Sequence, residues 1–514
     1  MKLRLAIIVS LCAGFVSISM EIIWFTVVGY MFKGHAFTFS IVLALILFGI
    51  AYGAKLGYRA IKKPNTDVAL LISKIMLVAG ILNFISFPLV GWLLTIHSAF
   101  APLLVISIVG ISGMVGCIFP LLCHIAVTSN EHEVGKQTSL LYAANIIGAT
   151  TGPLITGYVL IDYFPMNTIV AGLCVVLIVL SLIIRLNYIP FKSSLRFAGI
   201  CGGAAVFCIT LHTPLYAHFF EHIHFQGIFD ETKKYTFMLQ NRSGIIAVDQ
   251  EDRVFGSGAY DGGMNVNPKS DLNKPDRAYI VGALHPNPEK VLMIGLSSGS
   301  WAKILSDYSK IKELTIIEIN PGYLELIKKY PEIATILTDK KVKIIIDDGR
   351  RWIKRNSDQK FDMVVMNTTF HWRTNATNLL SIEFLRMCKN SLKGGGVVYW
   401  NPTRCPDIFY TAAHVFNNVS IYQSFVIASD SPLSLTPDEK MANFKQFYRN
   451  GKPLYEQPLY AEQMEIWSNT PLPNIHDEIL KEDLFVITDN NMACEFKTDL
   501  WKIFKGAPSV IDPN

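Results

Sequence analysis

The chain has 514 residues, and its formal net charge of +5 hides an uneven distribution. The first 213 residues carry 12 Lys or Arg and 5 Asp or Glu, whereas the remaining 301 carry 34 and 36. So sharp a contrast excludes both a single soluble globule and a disordered chain, and a basic surplus confined to an apolar part gives no reason to expect a nucleic-acid partner. Seven apolar stretches come first in chain order, at about 5–30, 37–54, 68–94, 101–127, 139–160, 168–184 and 197–215. Each is long enough to cross a bilayer as a helix, so an integral protein of the cell (inner) membrane is expected, with lipid as partner. A cleaved signal peptide does not fit the first stretch, which continues past Glu21 to Tyr30.

Short connections carry Lys2, Arg4, Lys55, Arg59, Lys62, Lys63, Lys136, Arg185, Lys192 and Arg196 on one side and Lys33 on the other, which places the N-terminus in the cytoplasm. Seven crossings would then put the rest of the chain outside. Gly202, Gly203 and Pro214 break the last stretch, so the side of the soluble part stays open. Glu21, well inside the first span, is expected to pair with Lys74 in the third. Six of nine cysteines lie in apolar stretches, and Cys388, Cys405 and Cys494 have no framework or metal-ligand spacing, so no metal is expected.

From about residue 234 the pattern changes to short strands at 235–239, 244–248 and 254–257, separated by polar turns. Strand-like runs at 291–295, 314–318, 342–346, 363–366 and 396–400 then alternate with helical patterns, which implies a doubly wound, mostly parallel sheet. Beyond about Val419 helical additions and a tail are expected. The predicted architecture is an N-terminal α-helical multi-pass membrane domain (1–216), a linker with a small antiparallel β-region (217–263), a C-terminal α/β Rossmann-like domain (264–420) and an extension (421–514).

The segment KVLMIGLSSGSWAKI, residues 290–304, runs a strand into a turn of Gly295, Ser297, Ser298 and Gly299 and then into a helix, so backbone can approach a ligand closely. The next strand ends in Glu318 and Ile319, about twenty residues on, where a carboxylate in this architecture accepts ribose hydroxyls. The third ends in Asp347, Asp348 and Gly349, where an acid can accept an exocyclic amine. With no diphosphate-binding loop, this order points to S-adenosylmethionine as the small-molecule substrate.

These pieces resemble the polyamine aminopropyltransferase (spermidine synthase-like) family. The likeness rests on Tyr260-Asp261-Gly262, the turn at 291–299, Ile317-Glu318-Ile319-Asn320, Asp348-Gly349-Arg350 and the segment 380–384, and the first span, with Met20 to Trp24, resembles the membrane-fused branch. The resemblance implies a class I methyltransferase-like fold, S-adenosylmethionine or its decarboxylated form as substrate, and methylthioadenosine as product. A homodimer stays open.

Two departures bear on the acceptor. Where the family has an Asp at the end of the fourth strand, this chain has Asn367, Thr368 and Thr369, and its stretch 277–284 lacks a carboxylate. An amide cannot take up a proton at neutral pH, and a polyamine needs acids to pair with. Cyclisation of S-adenosylmethionine by its own carboxylate, giving homoserine lactone, is therefore favoured. Asp261, Tyr260, Asn367, Thr368 and His371 are the candidate catalytic residues, with Trp372 and Arg373 beside them. Rival activities are a true aminopropyltransferase, a methyltransferase, and a non-catalytic nucleotide-gated sensor or transporter.

Overall fold

The computed structural model describes residues 3–127, 131–367, 370–403 and 405–497, arranged as two compact units. The first unit is built on helices α1 (Leu3–Met31), α2 (Phe37–Ile61), α3 (Val68–Ile96), α4 (Pro102–Ala126), α5 (Glu131–Ile155), α6 (Met166–Tyr188) and α7 (Phe191–Leu215). Among the described residues seven helices are long and apolar enough to cross a membrane. The Gly202-Gly203 pair does not interrupt α7, which runs unbroken for 25 residues with Pro214 in its last turn. At 1.5 Å per residue that is about 37 Å, more than a hydrocarbon core of about 30 Å.

Close glycine contacts seam the helices in pairs. Gly148 and Gly152 of α5 press on the carbonyls of Leu11 and Phe15 in α1, and Gly49 and Gly53 of α2 press on Val109 and Gly113 in α4. A four-residue glycine spacing brings backbones together where lipid offers no hydrophobic gain. The pairing of Glu21 with Lys74 is corrected: among the described residues Glu21 has no ion-pair partner, and it lines a small cavity with Ser17 and Asn83. Lys74 lies too far along α3 from Asn83, over two turns, to meet it.

The second unit takes in Lys33–Ala36, Thr236–Leu239 and the chain from Ile245. Strands β1 (Phe237–Asn241), β2 (Gly244–Val248), β3 (Arg253–Gly256) and β4 (Ala259–Gly263) form an antiparallel sheet in sequence order. The fourth strand was not expected from sequence, and it carries Tyr260, Asp261 and Gly262 inside it rather than after it. The larger sheet contains β5 (Lys290–Ile294), β6 (Glu313–Glu318), β7 (Val342–Ile346), β8 (Phe361–Met366), β9 (Leu392–Trp400), β10 (Asn418–Tyr422) and β11 (Phe425–Ser429). Its order is β10-β11-β9-β8-β5-β6-β7, with β5 to β9 parallel and β10 and β11 antiparallel. Two strands complete the sheet at and just after Val419, and the helical additions, Pro437–Phe444 and Pro458–Asn469, come after them.

Alternate residues of the central strands feed two cores. Val291, Met293, Met363 and Val365 join one, while Leu292, Ile294, Val364 and Met366 join the other. Burial on both faces explains why these strands read as continuous apolar runs. Strand order reverses at β5, and a crevice at the carboxyl ends of strands flanking such a point is where ligands collect.

Candidate active site

Helix α8 (Ser300–Asp307) follows β5 through the turn predicted to approach a ligand. Gly295 (φ +88°) and Gly299 (φ +76°) adopt left-handed backbone, and a Cβ on Gly299 would lie 2.7 Å from Ile327. Ser297 is also left-handed, at φ +48°, and its hydroxyl donates to the carbonyl of Asp261. Ser298 and Ser300 lie hydroxyl to hydroxyl at 3.2 Å, and Ser300 donates to the carbonyl of Gly263 at 2.7 Å. The serines thus tie the turn to β4.

Glu318, 5% exposed at the end of β6, accepts the amides of Leu296 at 2.7 Å and Asn320 at 2.8 Å. Burial pushes its carboxyl up to about 7, while those two amides oppose the rise and the nearby Asp261 adds to it. Ile319 is 61% exposed, and Ile346, paired in register with Glu318, is 43% exposed. Two exposed aliphatic residues at a carboxyl edge beside a carboxylate place apolar surface next to a hydrogen-bond acceptor.

Helix α9 (Gly322–Ile327) carries Tyr323 in its first turn, and the Tyr323 hydroxyl donates to the Asp261 carboxylate. Gly256 leaves room for this pair, since a Cβ there would stand 2.9 Å from the Tyr323 hydroxyl. Burial pushes the Asp261 carboxyl up, opposed by the Arg373 cation and by the hydrogen bond from Tyr323. Tyr260 accepts the Asn273 amide at 3.0 Å, and burial pushes its phenol up to about 12.

Arg373 sits on the turn that joins α1 to α2. A Cβ on Gly34 would lie 3.3 Å from its Nε, the Thr374 amide donates to the Gly34 carbonyl at 2.9 Å, and His35 stacks on Trp372 with centroids 4.0 Å apart. His371 is held by loop packing: Nδ1 meets the Thr403 hydroxyl at 2.9 Å and Nε2 the Lys497 carbonyl at 3.2 Å. Burial lowers its pKa.

The structure thus brings Asp261, Ser297, Glu318, Tyr323 and the charge of Arg373 together. Asn367 stands at the end of β8 with its carbonyl 3.3 Å from the Cβ position of Gly295, and Thr368 lies outside the described residues. The acids of the third strand are engaged locally: Asp347 accepts Nε of Arg351 at 2.6 Å, and Asp348 accepts the Arg351 amide at 2.7 Å as cap of α10 (Gly349–Arg355). Gly349 packs under Ile294, 2.6 Å from its Cγ2 to the Cβ position. Sequence patterns did not signal Tyr323, Gly256 or Ile346.

Residues 277–426 match the Spermine/spermidine synthase domain. A polyamine aminopropyltransferase of Streptococcus uberis is 34% identical over 123 residues, which is 24% of this chain and 42% of that protein. One from Caldicellulosiruptor saccharolyticus is 27% identical over 157 residues, 29% of this chain and 56% of that protein. The chain thus spans about half the length of these curated relatives. The solved spermidine synthase of Thermotoga maritima aligns at 17% identity and a TM-score of 0.35, covering 48% of this chain and 88% of that one. The second unit therefore contains a spermidine synthase-like domain with polyamine aminopropyltransferase homologues.

Proposed function

We propose that the second unit is a transferase acting on a sulfonium nucleoside, S-adenosylmethionine or its decarboxylated form, and releasing 5′-methylthioadenosine. In this scheme Glu318 accepts the ribose hydroxyls, Ile319 and Ile346 flank the base, and Asp347 or Asp348 receives its amine. The seven long helices support a membrane-embedded first unit.

The finer proposal is cyclisation of S-adenosylmethionine itself. The single observation that carries it is the Arg373 cation acting on the Asp261 carboxylate. A carboxylate within electrostatic reach of a cation complements the ammonium and carboxylate of an α-amino acid, whereas a cationic polyamine would meet Arg373 with like charge. Held there, one carboxylate oxygen attacks the γ-carbon in line with sulfur. The new C–O bond closes the lactone, the Cγ–S bond breaks, and its electron pair leaves on the neutral thioether. No proton moves, so no general base is required at Asn367. Holding the nucleophile against the carbon contributes several kcal/mol, on the order of that seen for other oriented intramolecular reactions.

The test is incubation of the purified full chain with S-adenosylmethionine alone, followed by mass spectrometry. Methylthioadenosine and homoserine lactone in equal amounts are expected. Turnover of decarboxylated S-adenosylmethionine with putrescine, and none of S-adenosylmethionine alone, would assign an aminopropyltransferase instead, and adenosylhomocysteine would assign a methyltransferase.

A further inference from the structure

We propose that Cys405 and Cys494 are a thiol pair that closes into a disulfide and thereby clasps the loop carrying Arg373. The two sulfurs lie 2.8 Å apart although 89 residues separate them, and both side chains are buried, at 2% and 0% exposure. Cys405 precedes the helix Pro406–Ala413, and Cys494 lies in the turn Ala493–Phe496. A disulfide bond is about 2.05 Å long, so closure asks the two sulfurs to approach by less than about 1 Å.

Asp407 completes a cluster whose composition would also suit a metal ion. Its charge is already balanced, however. Lys497 Nζ lies 2.5 Å from Oδ2, and the Phe485 amide donates to Oδ1 at 3.3 Å. A buried carboxylate so paired does not call for a further cation, which leaves two thiols lying sulfur to sulfur.

The residues around Cys494 hold the loop that carries Arg373. Glu495 accepts the amides of Asn375 at 3.2 Å and Thr377 at 3.0 Å and the Thr377 hydroxyl at 2.7 Å, and the Lys497 carbonyl meets His371. Fixing Cys494 to Cys405 would fasten this clasp. In the closing step one thiolate attacks a sulfur of a disulfide oxidant and releases its first thiol, and the second thiolate attacks the protein sulfur of the mixed disulfide and releases the other. The protein loses two electrons and two protons, and the oxidant leaves as two thiols.

Full-length protein in detergent is incubated with oxidised glutathione, denatured, treated with maleimide and peptide-mapped. We expect a linked peptide joining residues 405 and 494, two fewer maleimide adducts than in the reduced sample, and a melting temperature raised by about 5 °C. Cys388→Ser should leave all three results unchanged, while Cys405→Ser should abolish them. Full alkylation of both thiols after oxidation would overturn the proposal, as would a stoichiometric metal in the wild type that is lost in Cys494→Ser. Methylthioadenosine release is read in the same preparation, so failure of the transferase assignment and failure of the disulfide are seen separately.

Discussion

Binding of methylthioadenosine should release a proton from Glu318 on the acid side of neutrality. The free carboxyl titrates near 7 because it is buried, with the Asn320 and Leu296 amides limiting the rise and Asp261 adding to it. Ribose hydroxyls donate to a carboxylate, so the complex favours the ionised form. About nine-tenths of free sites are protonated at pH 6 and about one-tenth at pH 8, so affinity should be about tenfold weaker at pH 6, and about 0.9 proton should be released there per site. Calorimetry in two buffers of different ionisation enthalpy reads both quantities. Glu318→Gln should abolish the pH dependence and weaken binding at pH 8 by about 30-fold, on the order of 2 kcal/mol for lost charged hydrogen bonds. Flat affinity from pH 6 to 8, or an unaltered pH dependence in the Gln variant, would refute the assignment.

The same shift has a signed effect on stability. The folded value near 7 lies above the ordinary 4.5, so the folded state binds the extra proton between these values. Stability from this group is therefore fully present below about pH 4.5 and is lost as pH rises through about 7, a difference of roughly 3 kcal/mol. The melting temperature of the free protein should fall more between pH 5 and 8 than that of Glu318→Gln.

Arg373→Ala should weaken S-adenosylmethionine binding by about 10- to 100-fold while leaving methylthioadenosine affinity nearly unchanged, as competition calorimetry would show. Gly299→Ala meets Ile327 at 2.7 Å from a left-handed position, so a loss of about 1–3 kcal/mol and a lower melting temperature are expected. Gly148→Leu would drive a side chain into the Leu11 carbonyl, and fluorescence-detected size exclusion should show loss of the monodisperse peak.

The parallel strands were legible because burial on both faces makes them continuous apolar runs, as in β5 and β8. Glu318 was legible because its separation from the glycine turn follows from one strand–helix–strand unit. What escaped depends on distant contacts or weak local signals. Strand β4 reads Ala-Tyr-Asp-Gly-Gly, poor in β-forming residues, and is held by pairing with β3. Tyr323 reaches Asp261 across 62 positions, and Cys405 reaches Cys494 across 89. Arg373 is approached by a turn between two apolar stretches, and no local pattern in either segment announces that contact.

The same turn bears on which side of the membrane the second unit lies. Lys33–Ala36 belongs to that unit, with the Ala36 amide donating to the Trp372 carbonyl at 3.3 Å. The turn is reached after one crossing, counted from the start of α1, and the chain beyond α7 after seven. Both can lie on one side only if the number of crossings between them is even, which requires α7 to cross in full along with the other helices after the turn. Arg4, Lys55, Arg59, Lys62, Lys63, Lys136, Arg185, Lys192 and Arg196 fall in connections on the other side in this count of crossings, and an accumulation of cations is expected on the cytoplasmic side. The second unit should accordingly face away from the cytosol, where disulfide oxidants favour closure of Cys405 and Cys494. Alkaline phosphatase fused after residue 497 should be active, and a green fluorescent protein at the same place should stay dark. A fluorescent fusion would place the unit in the cytosol and overturn the orientation drawn from the charged connections.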